Sequence, residues 1–330
     1  MSRILNVLTQ SDENYALVGL TGIASILENN KAMEEINIFY LCVGIEEKTK
    51  LKMQNFVKKY KNAKLVLIDA APYIKELKSL GVSEWKGLIV TWCKLLAIDD
   101  LPIETDRVLY LNPHSIVNDD LDYLVNLDLT GYVMGNIYDT IPHGHLNNIN
   151  FDYNDSYFNC GIMLVNYSLW KQENIGLFVR EKLKEKSDYR IVDQDFCNIH
   201  FKDRIKLLPF EYYVFDMIYA YKDRKNFLAA NNLLNKPYYY SLEEQMSGYY
   251  SAKIIYSTFR AAGFPWQKDS LSPTRYLWEK YMKLIEWNEA ERPKAKKGLT
   301  YYAYKVLPNK LIPRINYYIL NRKFKKERYN

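Results

Sequence analysis

The sequence lacks the marks of a secreted, membrane-spanning or dinucleotide-binding protein. Only four cysteines occur among 330 residues, Cys42, Cys93, Cys160 and Cys197, and no two form a C-x-x-C pair. Each sits in an apolar or amphipathic context. A disulfide framework and a zinc site are therefore excluded, and buried free thiols in a reducing compartment are expected. No run reaches the roughly 18 apolar residues that a spanning helix needs. The apolar stretch ahead of Ser11, Asp12 and Glu13 is too short for a secretory signal, so the expected location is the cytoplasm. No G-x-G-x-x-G follows the first apolar run, and Gly19 and Gly22 fall inside the next helical segment. A dinucleotide dehydrogenase is disfavoured on that ground.

Excess charge is missing too, except at one end. The net charge is +6, yet residues 305–330 carry eight Lys/Arg against Glu327 alone, leaving 37 basic and 38 acidic residues elsewhere. The body is balanced and the basicity belongs to the tail.

What is present is apolar material in alternating patterns. With 48% apolar side chains the chain can bury a large core, so one large domain plus an appendage is expected. Runs at Ile4–Thr9, Ile36–Val43, Lys64–Ile68 and Arg107–Leu111 read as strands. Between them, Tyr15–Glu28, Glu46–Tyr60, Pro72–Leu80 and Trp92–Asp100 read as helices. Pro72 suits a first helical turn and Gly81 a stop. The alternation predicts an α/β protein whose mostly parallel central sheet has helices on both faces. Further on, Tyr157–Asn166 reads as a strand, Ser168 as the cap of a helix carrying Trp170, Val192–Phe201 as a helix, and Ile205–Leu208 as a strand. Beyond that, tyrosine becomes dense and periodicity weakens.

Ligands of such sheets bind outside the carboxyl ends of the strands. Gln10, Ser11 and Asp12 would then share a crevice with Asn112 and His114. Each candidate also has a plain structural reading. Ser11 and Asp12 suit a helix cap, Asn159 a turn, and Asp193 a helix start.

Several motifs in order resemble one family. They are Thr9-Gln-Ser-Asp-Glu-Asn-Tyr15, Ser25-Ile-Leu-Glu-Asn-Asn30, Lys94-Leu-Leu-Ala-Ile-Asp-Asp-Leu-Pro102, Arg107-Val-Leu-Tyr-Leu111, Phe158-Asn-Cys-Gly-Ile162, Asp193-Gln-Asp195, Leu208-Pro209 and Pro265-Trp266. Together they look like glycosyltransferase family 8 over roughly residues 1 to 266. The resemblance implies a GT-A fold and retaining transfer of a hexose from a nucleotide sugar, usually a UDP-sugar with manganese. It places Thr9, Asp12 and Tyr15 around the nucleoside. Lys94 takes the position of a family arginine near the donor sugar, keeping the charge but not the planar fork. Asn159 and Gly161 match a pair beside the donor hexose. Asp193 and Gln194 match the carboxylate that orients the sugar and the amide near its reactive carbon.

The departures from the family pattern fall on one chemical task. The two metal-binding aspartates correspond to Asn112 and His114, the later histidine to Tyr256, and the lysine before Pro-Trp to Phe264. Manganese and magnesium prefer anionic oxygen ligands, and Asn112 offers one neutral amide oxygen. No metal cofactor is therefore expected. Asp119 and Asp120 are poor substitutes, since along an extended chain they lie ~20 Å from position 112. Arg260, with Lys268 beyond it, can supply a fixed cation for a departing diphosphate. One charge pair at about 4 Å is worth about 4 kcal/mol at an effective dielectric of about 20. His114 can add a hydrogen bond or, when protonated, a positive charge. A solvated loop residue is the plain reading of Arg260.

Two functions follow. In the first, the chain is a metal-independent retaining hexosyltransferase acting on a saccharide, glycolipid or glycoprotein acceptor in surface-glycan assembly. In the second, it is a noncatalytic relative that binds a nucleotide sugar or supports a partner glycosyltransferase. The retained Asp-Gln-Asp and Asn-x-Gly motifs favour the first. In the tail, Leu311, Ile312, Ile315, Tyr318, Ile319 and Phe324 interleave with Arg314, Arg322, Lys323, Lys325 and Lys326, which suits an anionic membrane surface. A solvated tail and RNA binding are the alternatives. The resemblance favours the membrane, with no nucleic-acid partner. The expected organisation is a GT-A-like domain over 1–270 and a helical, basic and aromatic membrane-associating extension over 271–330. Its expected place is the inner face of the plasma membrane.

Overall fold

A computed structural model describes residues 3–85, 87–139, 141, 143–152, 154–221, 225–226, 240–307 and 311–315. They fall into two compact units, one within Met1–Asn136 and Phe158–Leu208, the other within Ile137–Tyr157 and Pro209–Asn330.

The first unit is built on a seven-stranded sheet. Its strands are β1 (Ile4–Asp12), β2 (Glu35–Val43), β3 (Ala63–Asp69), β4 (Arg107–Leu111), β6 (Met134–Tyr138), β7 (Phe158–Asn166) and β8 (Ile205–Leu207), while the short β5 (Ser115–Val117) lies outside this sheet. The order across the sheet is β3-β2-β1-β4-β7-β6-β8. β1 pairs in parallel with β2 and β4, β2 with β3, and β6 with β8, while β7 runs antiparallel to β4. The expected α/β class with a mostly parallel sheet is what the chain forms. Central β1 is buried from Leu5 to Ser11, as a strand covered on both faces requires. Edge strand β3 alternates between half-buried and exposed positions over most of its length.

The helix Glu13–Asn29 follows β1 and is capped by Asp12, whose Oδ1 accepts from Tyr15 N at 3.0 Å. Its two glycines allow close packing. A Cβ on Gly19 would lie 2.2 Å from Tyr40 Oη, and one on Gly22 would lie 2.9 Å from the Ser115 carbonyl oxygen. All four cysteines are buried and free.

Several expectations change in detail. β1 runs to Asp12 because its pairing with β2 continues through Ser11↔Cys42 and Asp12↔Val43. The stretch 92–100 is not one helix but the α-helix Cys93–Ala97 between two 3-10 turns, Val90–Trp92 and Ile98–Asp100. Ser168 is not the cap expected of it. Asn166, at the end of β7, accepts from Leu169 N at 3.0 Å and starts the helix Tyr167–Gln172. Asn caps at least as well as Ser and stands first along the chain. Strand β6 and the helices Asp122–Asn126 and Ile175–Glu185 carried no clear sequence signal.

In the second unit, β9 (Val214–Phe215) pairs in parallel with β10 (Ile254–Tyr256). Helix Leu242–Ser251 opens with a capping box between Ser241 and Glu244. Helix Arg275–Leu284 buries Trp278, whose Nε1 donates to Ser257 Oγ at 3.1 Å. Residues on both sides of position 270 pack together: Trp266 lies 4.9 Å from Trp278, and Asp269 Oδ1 accepts from Ala295 N at 3.0 Å. Ile312 is buried with Ala220, Tyr221, Phe259 and Ala262, so this tail residue faces the core and not outward. The rest of the expected membrane-associating stretch, from residue 316 onward, lies outside the described residues. Among the described residues no helix is long and apolar enough to cross a membrane.

Candidate active site

Three chain segments end at one edge of the first unit's sheet. β1 and β4 are parallel neighbours, so Thr9–Asp12 and Asn112 leave the sheet at the same side. β7 runs the other way and pairs Ile162 with Leu111, so its first residues Phe158–Gly161 lie there too. The helix Val192–Phe201 is tied to β7 by Gln194, whose Oε1 accepts from Cys160 N at 3.1 Å.

Most predicted residues of this unit are connected by contact. The Asp12 cap holds Tyr15, and the Tyr15 ring packs 4.8 Å from the His114 ring. Asn112 Oδ1 accepts from His114 N at 3.1 Å, and Asn112 N donates to the Gly161 carbonyl at 2.8 Å. Gly161 N in turn donates to Asn159 Oδ1 at 2.7 Å. The plain readings of Asp12 and Asn159 are thus partly realised: one caps a helix and the other closes a local turn. Thr9 is buried, and neither its hydroxyl nor that of Ser115 has a hydrogen-bond partner among the described residues. Both line a cavity of about 10 Å³ with Gly22 and Pro113, room for about one water.

The Asn112–His114 turn shows what donors stand where the family resemblance puts a metal. A manganese or magnesium ion wants several anionic oxygens. Asn112 has one amide oxygen, and that oxygen is already closing the turn. His114 adds an imidazole against Tyr15. Among the described residues no group of three or more His, Cys, Asp or Glu side chains is placed to hold a metal. This donor set does not fit the metal that the family resemblance implies.

Asp193 does not act as a helix cap. Asp195 reaches back to Ile191 N at 2.8 Å and closes the helix start instead. Asp193 turns to Lys94 and meets its Nζ at 2.5 Å, both side chains being buried. Burial disfavours the Lys94 ammonium, but the Asp193 carboxylate outweighs it and holds the lysine above its ordinary pKa. Burial raises the Asp193 carboxyl above the ordinary carboxylate value, with Lys94 pulling it back. The Lys94 Nζ also lies 4.6 Å from the centre of the Tyr110 ring. Just ahead of Asp193, Val192 has φ +33°, a region that β-branched residues avoid. Strain of this kind is typically about 1–3 kcal/mol and collects at functional sites.

Tyr256 and Arg260 belong to the second unit. The Tyr256 ring stacks on Tyr213 at 4.6 Å. Arg260 is exposed, with its guanidinium 5.7 Å from the centre of the Phe264 ring, and Phe264 stacks on Trp266 at 4.6 Å. An aromatic stack thus holds the cation at the surface.

Sequence reading missed Asn136, Asn198 and Tyr110. Asn198 follows Gln194 by four residues, so the two share a helix face. Asn136 stands inside the apolar strand Met134-Gly-Asn-Ile-Tyr138, where a buried polar residue must have partners.

An open, mostly parallel sheet with a buried polar cluster at its carboxyl edge is the arrangement of a GT-A glycosyltransferase. Residues 6–234 match the profile of glycosyl transferase family 8, and the chain belongs to that family. It is 30% identical over 233 residues to a lipopolysaccharide 1,2-glucosyltransferase of Escherichia coli, covering 67% of this chain and 66% of that protein. General stress protein A of Bacillus subtilis (strain 168) is 22% identical over 301 residues, 88% of this chain and 97% of that one. Among solved structures, the galactosyltransferase LgtC in complex with donor and acceptor sugar analogues has a similar fold. The TM-score is 0.61 at 18% identity, covering 91% of this chain and all of that one. The protein is a glycosyltransferase with a GT-A fold.

Proposed function

We propose that the protein moves a hexose from a nucleotide sugar, a UDP-sugar by family resemblance, to a glycan acceptor with retention of configuration and without a bound metal. The observation that carries this reading is the buried Lys94–Asp193 pair next to Gln194, set against the Asn159–Gly161 edge. Asp193, fixed by Lys94, can take sugar hydroxyls as a hydrogen-bond acceptor. Gln194 presents a fixed amide beside the reacting carbon.

Breaking the bond from sugar to diphosphate puts negative charge on the departing oxygen, which preorganised donors must stabilise. The poor fit of Asn112 and His114 to a metal supports side chains in that role. The imidazole of His114 is assigned to it, and Arg260, in the altered stretch before Pro265-Trp266, is the candidate fixed cation that the sequence offers. The acceptor is a saccharide, glycolipid or glycoprotein of a surface glycan. The basic tail supports peripheral binding to the cytoplasmic face of an anionic membrane.

The reading is tested by incubating purified protein with a panel of nucleotide sugars in EDTA. Release of nucleotide is expected to resist the chelator, to vanish in Asp193→Ala and to fall in Arg260→Ala. Manganese-dependent turnover would remove the metal-free part. Absence of both transfer and hydrolysis with every donor would favour a binding role beside a partner glycosyltransferase.

A further inference from the structure

We propose that Asn198 is a positioning residue of this site, setting the Gln194 carboxamide by clamping helix Val192–Phe201 to the first residues of β7. β7 pairs with β4 from Ile162 onward, and Asn112 N, just past β4, still donates to the Gly161 carbonyl, so Phe158–Cys160 run past the end of that neighbour. Buried backbone groups need partners, and here side-chain carboxamides supply them. Asn198 Oδ1 accepts from Phe158 N at 2.7 Å, and Asn198 Nδ2 donates to the Phe158 carbonyl at 2.8 Å, as a neighbouring strand would. The same Nδ2 donates to the Gln194 carbonyl, one turn back along the helix, at 2.8 Å. On the next residue but one of the strand, Cys160 N meets Gln194 Oε1 at 3.1 Å. Asn136 steadies the residue between them, donating from Nδ2 to the Asn159 carbonyl at 2.8 Å.

Two fixed points therefore set the register between helix and strand, and one of them is Gln194 itself. Asn198 is wholly buried and acts only through its neighbours. Only a short carboxamide offers an acceptor and a donor at this reach. An aspartate would turn a second acceptor toward two carbonyls, and alanine would remove all three side-chain hydrogen bonds. The inference rests on the reading of Gln194 as the amide beside the reacting carbon.

The test compares Asn198→Asp, Asn198→Ala and Gln194→Ala in the full chain. UDP-glucose and UDP-galactose serve as donors, and amide hydrogen exchange is followed in parallel. Both Asn198 variants are expected to lower kcat per folded molecule by about 10²-fold, the effect of displacing a reacting group by about 1 Å, with the donor KM unchanged. The Cys160 amide is expected to lose protection while Val7 and Leu109 keep theirs. A purely structural role would reduce the folded fraction and leave kcat per folded molecule intact, which would overturn the proposal. Retained protection at Cys160 would overturn it as well, whatever the turnover. An inactive Gln194→Ala beside fully active Asn198 variants refutes the positioning role alone. Full activity in Gln194→Ala refutes the assignment of Gln194 on which it stands.

Discussion

The Lys94 ammonium lies 2.5 Å from Asp193 Oδ2 and 4.6 Å from the centre of the Tyr110 ring, and all three side chains are buried. Removing one partner strands a charge inside the protein. Lys94→Ala is expected to lower unfolding stability by about 3–5 kcal/mol and to abolish transfer. Lys94→Met combined with Asp193→Leu is expected to recover most of that stability and none of the activity. Urea unfolding beside a transfer assay checks both; single and double variants of equal stability would contradict the buried pair.

Asn112 Oδ1 is committed to its own turn. Asn112→Asp keeps that acceptor and adds a second, anionic oxygen. With His114→Asp it is expected to raise manganese affinity well above that of the parent chain. Electron paramagnetic resonance titration of manganese, in the presence of UDP, reads this directly. Equal binding by parent and variant would show that the turn was never the determinant.

Arg260 is exposed and held over Phe264. Its loss is expected to leave stability within about 0.5 kcal/mol, as for most surface positions. Turnover is expected to fall about 10²–10³-fold, the usual effect of deleting one charge-stabilising donor. Loss of stability with normal kcat would make Arg260 a packing residue.

Asp216 is buried, with Oδ1 accepting from Thr258 N and Phe259 N at 2.9 and 3.0 Å and no partner for Oδ2 among the described residues. Burial pushes its carboxyl up to about 7. The folded state holds this proton more tightly than the unfolded chain, whose carboxylate titrates near about 3.9. The stabilising contribution is therefore full below about pH 4 and is lost as pH rises through about 7. Asp216→Asn is expected to flatten that decline and to exceed the parent in stability above about pH 7. Parallel pH profiles of Tm would rule this out.

The tail is best probed without truncation, because Ile312 belongs to the second unit's core. Changing Arg322, Lys323, Lys325 and Lys326 to Gln is expected to move the protein from the membrane fraction to the soluble one. Partitioning that ignores these charges would remove the membrane proposal.

Local pattern made the first half of the fold legible. The apolar run from Ile4, the Asp12 cap and the helix behind it are all encoded within a few residues of one another. Signals that depend on distant partners were not. Lys94 and Asp193 meet across 99 residues, and nothing in either neighbourhood announces the other; only the order of family motifs placed both at one site. The choice of Asn166 over Ser168 as a cap turned on where β7 ended, which is set by its pairing with β4 and β6. Asn198 was legible only in part. Its spacing from Gln194 was visible, but the strand end that gives it a task was not.

β7 outruns β4, and that overhang has a consequence for how such an enzyme can change. Inside a sheet, main-chain position is dictated by neighbouring main chain and no single replacement can retune it. At Phe158, Asn159 and Cys160 the carboxamides of Asn198, Asn136 and Gln194 hold the main chain, so point substitutions there can shift it while the ladder behind stays intact. On the proposed placement of Gln194, a change of donor preference is then expected to need few mutations.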